Sequence, residues 1–293
     1  MRVNGCNRHF LWMSSSTGRE DVLKALHNEM SAFYSQQGRR ERYQQMLNQQ
    51  EEVIPAADSV RHLMPKYVYD LKPARILEIG CGEGRLYRQL RGYGYTAEYV
   101  GIDVAEYLIH DNERRHPEAE WKVANVYRIP YEEGSFDICF SLYVLEHLVY
   151  PESALREMVR VLRPRGRVVL VFPDIAQSGR MGSQQRGFSP MGTASEKLRK
   201  GKLVDAVVSL YDSRFRLPKA LRDAPSNFGP FPINTRPICL YHSSLMAPDI
   251  DAVYIASKQE VQSWAERNNL MVEYPCGTQG EFAEQAFIVL TKL

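Results

Sequence analysis

No two of the chain's five cysteines (Cys6, Cys81, Cys139, Cys239 and Cys276) stand at C-x-x-C spacing, and their number is odd. That pattern argues against a zinc knuckle and a disulfide framework, and no other metal-ligand spacing is evident. A reducing, cytoplasmic compartment fits such scattered thiols best. No stretch approaches the roughly 20 apolar residues that a membrane span needs. The N-terminal MRVNGCNRHFLWMSSS has a single short apolar run, Phe10 to Met13. A signal peptide needs about 7–15 such residues. Residues 1–16 therefore read as a disordered tail, and Met13 is an alternative start. Charge of one sign is also scarce. A net charge of +2 over 293 residues is not the balance of a general nucleic-acid binder.

What is present is a change of period along the chain. Residues 18–50 are polar and helix-permissive, and Val22, Leu23, Leu26, Met30 and Phe33 fall at spacings of three or four, so that one helix face is buried. Pro55 opens a second helix that runs to Leu71. From Arg75 short apolar strands alternate with helices: ARILEIG, AEYVGIDV, WKVANV, SFDICFSLYVLEH and RVVLVFP are strands, and SALREMVRVLR (153–163) is an amphipathic helix. Such alternation predicts βαβ units and a mostly parallel sheet covered on both faces. The alternation breaks over residues 174–250, which hold no clear strand. This segment carries 11 Lys and Arg against 6 Asp and Glu, a net +5 within a chain of +2. Order returns at Ser257, which with Glu260 suits a capping box, and LMVEYP and QAFIVLTKL are closing strands.

The first strand runs into ILEIGCGEG, with glycines at 80, 82 and 84. Glycine at that spacing lets a ligand approach the backbone. A dinucleotide fingerprint, G-x-G-x-x-G, wants its third glycine at the position held by Arg85, which weakens a pyrophosphate reading. Asp103, after the second strand, suits the ribose diol of any nucleoside cofactor, or a helix N-cap. Taken together, LEIGCGEG, GIDV and NVYRIPYEEGSFDICFSLYVLEHLVYPESALREMVRVLRPRGRVVLVFP resemble the class I S-adenosylmethionine-dependent methyltransferases. The resemblance is greatest to the branch with quinone-biosynthesis and natural-product enzymes. It covers about residues 56–173 and the strands after 252.

The resemblance implies a doubly wound, Rossmann-like α/β fold with a seven-stranded, mostly parallel sheet whose last strand is antiparallel. It divides the chain into the tail (1–16), an N-terminal helical segment (17–55), a methyltransferase core (56–173 and 251–293) and an inserted substrate-recognition lid (174–250). The cofactor it implies is S-adenosyl-L-methionine. Gly80, Cys81, Gly82 and Gly84 would bind the aminoacyl tail, and Glu78 would orient the loop and favour the tail's ammonium. Asp103 and Val104 would meet the ribose, Asn125 and Val126 the adenine, and Ser141, Leu142 and Tyr143 would lie below the sulfonium. Most relatives have Asp where this chain has Asn125, whose amide oxygen can still accept a hydrogen bond, and a plain turn residue is the other reading.

Methyl transfer from a sulfonium is an in-line displacement, so alignment and exclusion of water are the main requirements. His147 and His242 are the candidate catalytic residues; for His147 both a general base and a loop-ordering role are open. Tyr211, Arg236 and Tyr241 are further polar candidates, and Tyr34 and Tyr43 suit either a lid or helix packing. The basic run KLRKGK (197–202) suits a solvated face, an acidic substrate or a membrane surface. The expected partner is a small-molecule acceptor, with nucleic acid disfavoured. The alternatives are a tRNA methyltransferase, motivated by the +5 segment and by Tyr211, Arg214, Phe215 and Arg216, a non-catalytic binding module, motivated by Asn125, and a nicotinamide oxidoreductase. No feature fixes the oligomeric state.

Overall fold

The computed structural model describes residues 12–35, 58–182, 194–240 and 249–293. Its strands, in chain order, are β1 (Trp12–Ser14), β2 (Arg75–Ile79), β3 (Glu98–Asp103), β4 (Glu120–Val123), β5 (Phe136–Leu142), β6 (Leu162–Pro173), β7 (Pro232–Asn234), β8 (Leu270–Glu273) and β9 (Gln285–Lys292). The chain forms two compact units. One comprises Met1–Phe33, Glu146–Pro151 and Pro173–Ser257; the other comprises Tyr34–Leu145, Glu152–Phe172 and Lys258–Leu293.

The second unit holds a seven-stranded sheet in the order β4-β3-β2-β5-β6-β9-β8. β2 pairs in parallel with β3 and β5, β3 with β4, and β5 with β6, whereas β8 and β9 are antiparallel. This is the Rossmann-like α/β architecture that the family resemblance implies, with the mostly parallel sheet that the alternating pattern predicts. Burial explains why the strands read as continuous apolar runs: Ile76, Leu77, Ile79, Ile138, Phe140 and Val168 to Phe172 are all buried, so both sheet faces are covered. Local signals place the flanking helices. Ser59 Oγ accepts the Arg61 amide at the start of the helix Val60–Asp70. The expected start of that helix, Pro55, lies outside the described residues. The helix expected over 153–163 is found at Pro151–Arg160, with Pro151 at its first position and Glu152 in its first turn. It ends before Pro164 and Gly166 because Leu162 already pairs with Phe136 in the sheet.

The chain order reverses at the centre of this sheet: β3 and β4 lie on one side of β2, and β5 lies on the other. A crevice outside the carboxyl ends of β2 and β5 is where open α/β sheets bind ligands.

The first unit has a core of its own, in which Trp12, Ile175, Met181, Leu217, Leu221, Ala224, Ala252 and Ile255 pack together. Two expectations are corrected here. Part of the expected disordered tail is the strand β1, which pairs antiparallel with β7. Trp12 is buried, and its ring meets Phe228 edge-on at 5.6 Å. Burying one such side chain is worth ~1.5–3 kcal/mol, and ladder hydrogen bonds add to it, against a cost of ~1–2 kcal/mol per residue ordered. Segment 174–250, expected to lack strands, contains β7 together with the helices Ile175–Ser178, Ala194–Arg199, Leu203–Tyr211 and Leu217–Phe228. Three-residue strands paired more than 200 positions apart have no local signature. Pro218 and Pro225 hide the helix that contains them.

Four cysteines fall in the described residues, and all are free thiols. Among the described residues no helix is long and apolar enough to cross a membrane.

Candidate functional site

The loop after β2 has three glycines with left-handed backbones, at φ +67° (Gly80), +50° (Gly82) and +70° (Gly84). Their surroundings differ. A Cβ on Gly80 would stand 2.6 Å from Val144, and one on Gly84 would stand 2.9 Å from Trp121. On Gly82 it would meet nothing within 4 Å. Two of the glycines therefore make room for the protein itself, and the one between them faces open space. Cys81 contributes only backbone, because its side chain is buried in the core and burial raises its thiol pKa.

The loop is held by strand β3. The Ile102 carbonyl accepts the amides of Gly80 (2.8 Å) and Cys81 (3.1 Å). Asp103 accepts the Gly82 amide on Oδ2 at 3.0 Å and the Ala105 amide on Oδ1 at 2.9 Å. A carboxylate has about four acceptor positions, so about two remain for other donors. Burial raises the Asp103 pKa, against these amide bonds, which favour the charged form. Val104, next along, is 38% exposed.

The Gly82 carbonyl has a holder that sequence reading missed. Asn112, fully buried on the helix Glu106–Arg115, donates from Nδ2 to the Gly82 carbonyl at 2.8 Å. Its Oδ1 has no hydrogen-bond partner among the described residues. The signal was available: Asn112 follows Leu108 and Ile109 by four and three positions, so it is a polar residue on an apolar helix face.

Glu78 is buried at the end of β2 and accepts a hydrogen bond from the Tyr99 hydroxyl. Burial raises its pKa to about 8, which the Tyr99 bond opposes and the charge of Asp103 reinforces. A carboxyl so placed gains most from a nearby cation.

Two further predicted segments flank the loop in the sheet. Asn125 Oδ1 accepts the Tyr127 amide at 3.0 Å and caps the short turn Val126–Arg128. Its other lone pair and its NH₂ group remain beyond that bond. Val126 and Ser141 are buried, and Leu142 and Tyr143 are partly so. Tyr143 has φ +57°, rare for a residue with a side chain. Its amide donates to Val171 O at 2.8 Å, and the Arg61 guanidinium lies 4.6 Å over its ring. Strain of this kind concentrates at functional sites.

His147 belongs to the first unit, beside Glu146, Asp249 and Asp251. Its Nε2 is 3.7 Å from Glu146 Oε1, and its Nδ1 is 3.5 Å from Asp251 Oδ1. Burial lowers its pKa, but the carboxylates of Asp251, Glu146 and Asp249 outweigh this and raise it to about 8. Carboxylates on both sides of the ring hold its orientation. His242, Tyr241 and Tyr43 lie outside the described residues. Arg236 follows β7, and its amide donates to Asn234 Oδ1 at 3.0 Å. Tyr211 and Phe215 stack at 6.0 Å on an exposed surface, and Tyr34 closes the helix Glu20–Ser35.

Comparison with known proteins bears on the same stretch. Residues 77–170 match the family described as a methyltransferase domain. A demethylmenaquinone methyltransferase of Thermus thermophilus is 35% identical over 34% of this chain and 48% of its own length. An uncharacterized methyltransferase of Schizosaccharomyces pombe is 31% identical over 38% of this chain and 44% of its own length. The phthiotriol/phenolphthiotriol dimycocerosates methyltransferase of Mycobacterium leprae is 30% identical over 41% of this chain and 44% of its own. The chain thus spans less than half the length of these curated relatives. The stretch similar to methyltransferase domains thus coincides with the parallel strands β2 to β6 of the seven-stranded sheet.

Proposed function

We propose that this methyltransferase domain transfers the methyl group of S-adenosylmethionine to a small-molecule acceptor. One observation carries the reading: Gly82 faces open space while its N–H is held by Asp103 and its C=O by Asn112. The aminoacyl tail lies against this bare backbone, where a diphosphate reading lacks its third glycine. The tail's ammonium would add to the effect of Arg88 in favouring the ionised form of buried Glu78. Asp103 uses its remaining acceptor positions for the ribose diol. Val104 and Val126 flank the adenine, and Asn125 hydrogen-bonds its edge. The strained turn at Ser141–Tyr143 lies beneath the sulfonium. The donor is already activated, so this scaffold supplies alignment and dryness.

The acceptor is recognised by the insertion of residues 174–250. Related enzymes act, by their names, on demethylmenaquinone and on phthiotriol dimycocerosates, which supports a small molecule. The exposed side chains of this segment support an apolar one. Leu203, Val204, Val207 and Phe215 are 62–76% exposed, a poor surface for a polyanion. A tRNA acceptor would instead give RNA binding that falls steeply with salt. His147 orders the turn that follows β5.

Calorimetric titration with S-adenosylmethionine tests the reading. It predicts saturable 1:1 binding within the usual micromolar-to-millimolar range of ~1 μM to ~1 mM. Absence of heat at several hundred micromolar from a folded sample would end it.

A further inference from the structure

The first unit holds a second group of chemistry-bearing side chains. Glu146 is fully buried, and neither of its carboxylate oxygens has a hydrogen-bond partner among the described residues. An unsatisfied buried carboxylate is costly and calls for an explanation. His147 does not supply one, since 3.7 Å is too long for a hydrogen bond. Ligand atoms of Glu146, His147 and Asp249 all lie within 4.8 Å of one another. Metal–ligand bonds of ~2.0–2.2 Å put neighbouring ligand atoms ~3–4.4 Å apart, so a small inward shift closes such a cluster on one ion.

We propose that Glu146, His147 and Asp249 form a binding site for a divalent transition cation of the Mn²⁺ or Zn²⁺ type. One imidazole nitrogen and two carboxylate oxygens are a mixed ligand set that these ions accept. His147 Nε2 faces Glu146 and is the ligating nitrogen. Its Nδ1 lies 3.5 Å from Asp251 Oδ1, and a slightly closer approach on binding would give the carboxylate–histidine–metal arrangement that fixes ring orientation. The scaffold is built without the ion: the Glu146 carbonyl accepts the amides of Val253 (2.8 Å) and Tyr254 (2.9 Å), tying residue 146 to the chain that follows Asp249. Asp249 has φ +57° and is exposed, so solvent or another oxygen ligand can reach the remaining coordination positions. The ligands are 103 positions apart at most, and no motif spacing reveals them.

The test uses the full chain, stripped with a chelator and titrated with Mn²⁺ alone, the free ion being read by electron paramagnetic resonance. One saturable ion per chain is expected, competed by Zn²⁺. Glu146→Gln should weaken it by at least about tenfold, the scale that loss of even an outer partner brings. Because Glu146 is buried, Asp249→Asn at the exposed ligand provides a second variant, with a loss of similar sign. Absence of saturable binding up to about 1 mM of either ion, an affinity worth only ~4 kcal/mol, would overturn the proposal. Equal binding by the folded Asp249→Asn variant and the parent would do the same. Neither readout involves S-adenosylmethionine, so the outcome is independent of the methyl-transfer reading.

Discussion

Asp103 and Glu146 are both acids in polar clusters, and the protein treats them in opposite ways. Asp103 accepts the Gly82 and Ala105 amides, one on each oxygen, and so holds the loop after β2. Glu146 accepts nothing on either oxygen among the described residues. The first acid is part of a device that is complete within the chain and presents an open face at Gly82. The second is part of a device completed from outside. The lesson concerns preorganisation: a loop pinned by its own side chains needs no ligand to hold its shape, whereas an orphaned carboxylate marks a missing partner.

The comparison can be broken most forcefully at glycine. Gly82 and Gly134 both have positive φ, +50° and +73°, and both have open space where a Cβ would go. Valine at either position carries backbone strain of ~1–2 kcal/mol or more. Only Gly82→Val should also abolish cofactor affinity, by about a hundredfold or more, ~3 kcal/mol. Thermal melts and calorimetry on both variants check this. Equal affinity in the two would mean that the open face at Gly82 is not a ligand surface.

Next in size is Asn112→Ala. It removes the hydrogen bond to the half-buried Gly82 carbonyl, a cost of ~0.5–1.5 kcal/mol, and frees that side of the loop. Melting temperature should fall, and cofactor affinity should drop about tenfold. A fall in stability with unchanged affinity would separate Asn112 from the site.

Glu78 gives a pH signature. Its folded pKa of about 8 lies above its ordinary 4.5, so its stabilising contribution is fully present below pH 4.5. That contribution is lost as pH rises through about 8. The ligand-free melting temperature should therefore decline across this window, and Glu78→Gln should flatten the decline. Saturating S-adenosylmethionine should also reduce it, because its ammonium stabilises the ionised carboxylate. Parallel pH curves for parent and variant would refute the assignment.

The smallest effect is expected at Asn125. Replacement by Asp keeps the cap on the Tyr127 amide and should leave stability within about 0.5 kcal/mol, whereas Ala should cost ~1 kcal/mol. Melts of the two variants distinguish capping from any further role.

Legibility follows the same divide between the two regions. The glycine loop, Asp103 and the strands from β2 to β6 lie within one stretch of about 100 residues, where period and spacing are local signals. Their functional residues could be named because the loop, the strand end and the following acid are contiguous pieces of chain. Asn112 was written as one polar residue on an apolar helix face, a signal visible only once the helix is drawn as a face. The pairing of β1 with β7 was not legible, because each strand has three residues and its partner is remote. The same holds for the group of Glu146, His147 and Asp249, whose members are remote in sequence and lie where backbone bonds from Val253 and Tyr254 reach Glu146. In segment 174–250, Pro218 and Pro225 read as breaks, although the helix Leu217–Phe228 accommodates both, Pro218 in its first turn.

A crystal structure with S-adenosylhomocysteine tests the central claim most directly. The account predicts the aminoacyl tail against the Cα of Gly82 and both ribose hydroxyls within hydrogen-bond reach of Asp103. A nucleoside bound elsewhere, with Gly82 still facing solvent and Asp103 bonded only to its own backbone amides, would contradict it.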